Sequence, residues 1–231
     1  IHSSPIPHEV TPEVLTPEGN YRYADAVIDT QRQRLICVRE DHTATGEPVN
    51  TIVSINLNNA EDMIILAEGM DFYASPRLSP NGLQLCWISW NHPNMPWDNS
   101  ELWLASVQAD GSLANPKLVT GGKEESIFQP QWSPIGVLYF VSDRSEWWNF
   151  YRYRAGKIEP LYPIPAEFGL PQWVFGMSTY GFATADGIIC TYTEKGNWYL
   201  ATLNGQSQQL QQIHIPYTSI SGIKVSGGRI L

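Results

Sequence analysis

The feature that most limits what this chain can become is a turn that repeats. Residues 75–90 read SPRLSPNGLQLCWISW, and residues 129–142 read QPQWSPIGVLYFVS. In both, a short apolar segment meets Ser-Pro-x-Gly, and a longer run of β-branched and aromatic residues follows. Proline fixes φ and glycine accepts positive φ, so the tetrad sets a tight turn between two antiparallel strands. The turn recurs at a near-constant interval: 54 residues separate Pro80 from Pro134, and 51 separate Pro134 from Ala185. A strand–turn–strand unit with that period predicts small sheets repeated radially, an all-β β-propeller.

Taken in order, the chain opens with a tail over residues 1–19 that ends VLTPEG. The same ending recurs as ILAEG at 65–69 and LVTGG at 118–122, which marks the last strand of a blade. Alternating apolar residues and glycine-bearing turns then predict full blades over residues 23–69, 72–122, 128–162 and 175–213. A further blade begins at 217–231, with Gly227-Gly228 as its first turn. The chain is thus expected to be a partial propeller of about four to five four-stranded blades, with very little helix. Entry and exit in mid-blade leave two outcomes. Either the leading strand closes onto the trailing ones, or the piece is an open arc whose blade edges invite homo-oligomers.

Composition narrows the function classes. The chain has 231 residues, 42% hydrophobic and 12% aromatic, enough for a substantial core. Its formal charge of −9 argues against a nucleic-acid partner, which would meet basic surface. No apolar run approaches the roughly 20 residues of a membrane span, so no membrane insertion is expected. The three cysteines follow apolar residues in three repeats, as Ile36-Cys37, Leu85-Cys86 and Ile189-Cys190, with Phe140 filling the slot in the other. Odd in number and on separate blades, they read as buried free thiols, and a cytoplasmic location follows.

Few residues offer chemistry. Ser178, in GMSTYG, has only a partial likeness to a nucleophile elbow, because the closing glycine is displaced by one. The histidines are scattered, and His92, six residues from Asp98, is expected to serve a loop. No catalytic residue, metal site or cofactor is therefore expected in this chain. Loops are more informative. In a propeller, second-to-third-strand loops and blade-to-blade connections emerge on one face. Residues 91–99, 121–128, 143–148 and 167–176 should crowd there. They bring Trp97, Asp98, Trp147, Trp148 and Trp173 to one side, either as a docking surface for another domain or as caps on the blades. Glu124 and Glu125 could hold a protonated amine together, or form a solvated acidic loop.

At these residues the sequence resembles the N-terminal propeller region of the prolyl oligopeptidase family of serine peptidases, in its acylaminoacyl-peptidase and dipeptidyl-peptidase-like branch. The matching stretches include RLICVREDHT, SPRLSPNG, WNHPNMPWDNSELW, GGKEESIFQPQWSP and AEFGLPQWVFGMSTY. The resemblance implies a propeller that gates peptide substrates and docks an α/β-hydrolase domain that carries the Ser, Asp and His. No stretch here matches that catalytic domain. Related dipeptidyl peptidases grip the substrate amine with an acidic pair, and Glu124 and Glu125 stand at a comparable place, on a loop instead of a helix. Ile135 stands where Asn or Asp usually precedes the turn glycine, which should loosen that turn. The other reading left open is a non-enzymatic Tol-type propeller that binds a protein partner.

Overall fold

The computed structural model describes residues 13–226 and 229–231. Four antiparallel sheets of four strands follow one another along the chain. Blade 1 comprises β1 (Tyr21–Asp29), β2 (Arg34–Asp41), β3 (Val49–Asn56) and β4 (Asn59–Ala67). Blade 2 comprises β5 (Phe72–Leu78), β6 (Gln84–Trp90), β7 (Glu101–Val107) and β8 (Leu113–Gly121). Blade 3 holds β9 (Ile127–Trp132), β10 (Leu138–Ser142), β11 (Asn149–Arg154) and β12 (Lys157–Pro160). Blade 4 holds β13 (Tyr180–Phe182), β14 (Gly187–Glu194), β15 (Asn197–Asn204) and β16 (Gln209–Ile213). A short hairpin, β17 (Val225–Ser226) and β18 (Arg229–Ile230), follows. The described residues contain no helix. Most of the expected leading tail (1–12) and the Gly227-Gly228 turn lie outside the described residues. Among those described, the hairpin pairs only with itself and not with β1, so the sheets form an arc.

The recurrent turn has the expected geometry. Gly82, at φ +70°, donates its N–H to the Ser79 carbonyl at 2.8 Å. Gly136, at φ +78°, does the same to Ser133 at 2.9 Å. The closing bond forms with Ile135 as well, but its side chain stands in solvent and replaces neither bond of Asn81 Oδ1 in the first turn, from Ser79 Oγ at 2.8 Å and the Leu83 N–H at 3.1 Å. In each of these turns the Ser side chain adds a second closure, accepting from the Gln84 N–H at 2.9 Å and the Val137 N–H at 3.1 Å.

Burial lies between sheets. Ile36, Val38 and Ile52 of blade 1 pack on Tyr73, Leu85, Trp87 and Ala105 of blade 2. Cys86, Ile88 and Leu102 of blade 2 pack on Leu138, Phe140 and Tyr151 of blade 3. Phe128, Tyr139 and Phe150 pack in turn on Tyr180, Ile188 and Ala201, with Phe168 from the connection between them. Middle strands are apolar on both faces for this reason, and β6 reads QLCWISW. The register corrects one expectation. Cys37, Trp87, Phe140 and Cys190 share a slot facing the preceding side, whereas Cys86 sits one residue earlier and faces the next blade. A shift of one residue reverses the face. All three thiols are free and buried, and burial pushes Cys37 up to about 11 and Cys86 to about 12.

First strands are joined to one another through bulges. Asp25 (φ +50°), Ser75 (φ +54°) and Gln129 (φ +47°) are left-handed residues at equivalent points of β1, β5 and β9, where pairing with the second strand slips. A bulged residue has no partner within its own ladder. The Ser75 N–H turns to the Asp25 carboxylate of the preceding blade at 2.6 Å. The Thr179 N–H likewise reaches the Gln129 amide oxygen at 2.8 Å. Between blades 2 and 3, where Ser75 is too short to reach, Trp132 Nε1 donates to the Arg77 carbonyl at 2.9 Å.

The opposite end of blade 1 is tied by an ionic staple. Asp29, fully buried, accepts from Arg34 Nε at 2.9 Å and Arg32 Nη1 at 3.1 Å. Those two guanidinium groups continue to the Gly111 and Gly82 carbonyls of blade 2. Burial alone would raise the Asp29 carboxyl, but the hydrogen bonds from Arg34 and Arg32 together hold it below its ordinary value. Its ionised form therefore adds stability above the unfolded pKa, and this is lost as pH falls through the lower folded value. Asp29→Asn should cost about 3 kcal/mol at pH 7, because it leaves Arg34 buried without its counter-charge. Urea unfolding should show the difference from the parent shrinking in strong acid, where Asp29 is neutral in both.

Candidate functional site

The loops between second and third strands and the connections between blades share one face of the arc. The segment 122–126 links β8 to β9 and lies between the loop of blade 2 (91–100) and that of blade 3 (143–148). Ser100 N–H donates to the Glu125 carbonyl at 3.0 Å, and Asp143 N–H to the Ser126 carbonyl at 3.3 Å. The long connection 161–179 joins on the far side, with Phe168 N–H on the Trp148 carbonyl at 2.7 Å. Glycine is required at one junction: Gly121, at φ +103°, lies so near the Ser100 carbonyl that a Cβ would overlap it.

The two neighbouring carboxylates have different surroundings. Glu125 is largely enclosed. One oxygen accepts from Ser142 Oγ at 2.6 Å and from Arg144 Nε and Nη2 at 2.9 and 2.7 Å. The other accepts from Thr120 Oγ1 at 3.0 Å and the Gly121 N–H at 3.1 Å. Arg144 also lies over the Tyr151 ring, 5.0 Å from its centroid, and bonds Thr120 Oγ1. Glu124 is exposed, and among the described residues no hydrogen bond or ion pair engages its carboxylate. Lys123 and Glu124 both have positive φ, so the chain reverses there and separates the two side chains.

Beneath this pair Asp143 accepts the Ser126 N–H at 2.7 Å. Burial pushes its carboxyl above the usual range, and the neighbouring Glu125 charge adds to the effect. Arg144, at position 144, was not among the residues singled out from sequence. Its pairing partner is 19 residues away, and nothing in local spacing connects them.

The aromatic residues are distributed unevenly. Trp97 and Trp173 meet, ring centroids 4.2 Å apart at 48°. Trp173 remains 71% exposed, beside exposed Val174 and Phe175. Trp147 stands partly in solvent on the blade 3 loop. Trp148 is turned inward: its ring meets Phe128 edge-on at 6.1 Å, and Gly169 packs against it. Asp98 closes its own loop, accepting the Met95 N–H at 2.9 Å.

Ser178 has a structural environment. Its hydroxyl donates to the Ile223 carbonyl at 2.6 Å and accepts from Gln129 Nε2 at 3.1 Å, which anchors the segment before β17. Among the described residues no histidine is bonded to a serine: His42 meets Glu40 and His92 meets Glu47, each at 3.0 Å. No group of three or more His, Cys, Asp or Glu side chains suited to a metal occurs among the described residues.

Asp143 gives a pH test of this corner. A carboxyl with a raised folded pKa favours the folded state below its unfolded pKa, and that contribution is lost as pH rises through the folded value. Asp143→Asn keeps the acceptor for Ser126 and removes the charge. It should unfold at an equal or higher urea concentration than the parent at pH 7, with any gain vanishing below about pH 4.

No protein-family model matches the chain, and neither does any curated protein sequence. Solved structures do match it. A crystal structure of puromycin hydrolase is 32% identical over 96% of this chain, with a TM-score of 0.89. A puromycin-hydrolyzing peptidase of Mycobacterium tuberculosis is 33% identical over 90%, with a TM-score of 0.82. The chain spans only 36% and 34% of those two proteins. Prolyl oligopeptidase B of Galerina marginata (9% identity, 91% of this chain and 30% of that one, TM-score 0.70) shares the fold. So does TolB of Acinetobacter baumannii (14% identity, 83% and 43%, TM-score 0.55). By sequence and fold together, this chain is a partial β-propeller corresponding to the propeller region of peptidases in the prolyl oligopeptidase family.

Proposed function

We propose that this chain is the substrate-gating and domain-docking propeller of a serine peptidase, with bond cleavage carried out by an α/β-hydrolase domain. The observation that carries the reading is the 32–33% identity to puromycin-hydrolysing enzymes over at least 90% of the chain. The likeness to TolB, at 14%, supports the shared fold and nothing more specific. The exposed Trp173, Val174 and Phe175, with the half-buried Trp97 against Trp173, would supply the apolar surface on which the catalytic domain rests. Trp147, partly in solvent on the blade 3 loop, would extend it. Three buried unpaired thiols are in keeping with a cytoplasmic enzyme.

The substrates in this reading are short peptides or aminoacyl amides with a free amine. The acidic loop would grip that amine through Glu124, since Glu125 is already neutralised by Arg144. Glu125 then acts as the anchor that fixes the loop. In the complete enzyme, Glu124→Gln should raise KM about tenfold for free-amine substrates and leave blocked ones unchanged. Glu125→Gln should lower thermal stability and affect both classes alike. Equal effects of Glu124→Gln on the two classes would remove the amine-binding role. The 231-residue chain alone should give no turnover of aminoacyl or acylaminoacyl chromogenic substrates; turnover blocked by a serine-directed inhibitor would overturn the division of labour.

A further inference from the structure

The outer edge of blade 4 differs from the other three in one respect. Each blade ends in an edge strand with one side unpaired. Such edges pair with other chains unless charge or proline blunts them. β4 carries Glu61 and Asp62, β8 carries Pro116 and Lys117, and β12 carries Lys157, Glu159 and Pro160. β16 reads QLQQI and has neither charge nor proline.

The gap in charge extends well beyond the strand. From Gly196 to Ile223, 28 consecutive residues include no Asp, Glu, Lys or Arg, in a chain that is 16% charged. It is the longest such run in the sequence. It takes in β15, β16 and the connection that follows, where Tyr217 is 70% exposed. Gln209, Gln211 and Gln212 are exposed along β16, and an open cleft of about 600 Å³ runs beside Ser207–Gln211. Depletion of charge beside an exposed tyrosine is in keeping with the composition of an interface core.

We propose that β16 pairs with β16 of a second copy, antiparallel about a two-fold axis at Gln211, joining two blades into one continuous sheet. The occupant follows from charge. Two copies at −9 repel each other over most of their surfaces, and this edge is where they can meet without opposing like charges. The register is self-complementary: Gln209 faces Ile213 and Leu210 faces Gln212, an isologous contact. Glutamines stacked across the axis can exchange side-chain hydrogen bonds. Five paired residues bury less than the roughly 1,200 Å² of a stable interface, and the uncharged connection with Tyr217 supplies the remainder. The proposal is independent of any peptidase activity.

Sedimentation equilibrium of the protein should show a reversible monomer–dimer system. Gln211→Lys, which puts like charges on the axis, should raise the dimer dissociation constant at least about tenfold. The control Ile64→Lys, on the exposed side of β4, should leave it unchanged. Gln211→Cys should form a disulfide-linked dimer on mild oxidation, a readout that does not rely on the lysine variant folding normally. A protein that stays monomeric throughout, a dimer indifferent to Gln211→Lys, or a Gln211→Cys variant that does not cross-link would overturn the proposal.

Discussion

Adjacent sheets in this arc meet through a residue that has been forced out of its own sheet. At Asp25, Ser75 and Gln129 the first strand bulges, the residue turns to positive φ, and pairing with the second strand slips. Left-handed backbone is unfavourable for a residue with a side chain, and a buried unpaired N–H is more so. The bulge is tolerated because the neighbouring blade answers it. Asp25 receives the Ser75 N–H, and Gln129 receives the Thr179 N–H. Strain inside one sheet thus becomes a hydrogen bond between two. The side chain must be long enough to cross, which explains why Ser75 makes no such bond and Trp132 joins blades 2 and 3 instead.

That junction accounts for the apolar character of the middle strands. Once first strands are locked side by side, the sheets splay outward and must fill the wedge between them. Both faces of β6, β10 and β14 are then buried, and the rings of Phe150, Phe168 and Tyr180, from three different segments, pack together between blades 3 and 4. The polar staple of Asp29, Arg32 and Arg34 closes the opposite side by gripping carbonyls of the next blade's turns. Blades 1 and 2 are thus coupled at two places, and the apolar layer between them is held to one spacing.

Much of this was legible in the sequence, because the period of the turn and the two-residue alternation are local signals. Ser79 to Gly82 and Ser133 to Gly136 identify their turns without any tertiary information. The face of each cysteine was less legible. Cys86 looks like a counterpart of Cys37 and Cys190, yet the slot belongs to Trp87, since an extra turn residue shifts the count and only the pairing register reveals it. The ionic partners were not legible at all. Glu125 and Arg144 are 19 residues apart, and Asp25 and Arg77 are 52 apart. Each pair is brought together by the blade repeat, which carries no residue-level signature of charge pairing. The neighbours Glu124 and Glu125 read as one acidic pair for the same reason.

Their separation follows from backbone geometry. Two consecutive residues in extended chain point to opposite sides, and consecutive left-handed residues at Lys123 and Glu124 turn the chain sharply as well. One carboxylate is driven against the wall formed by Thr120, Ser142 and Arg144; the other is thrown outward. The inward one is met by Arg144, which donates two hydrogen bonds to it while resting on Tyr151. The loop is therefore fixed by the same residue that would otherwise strengthen its negative field. A short acidic loop held in this way turns a single carboxylate outward, on the same face as the loops that carry Trp97 and Trp173. In the proposed reading, such a combination would discriminate by placement of one charge, on a base whose geometry is set by the bulges and staples beneath it.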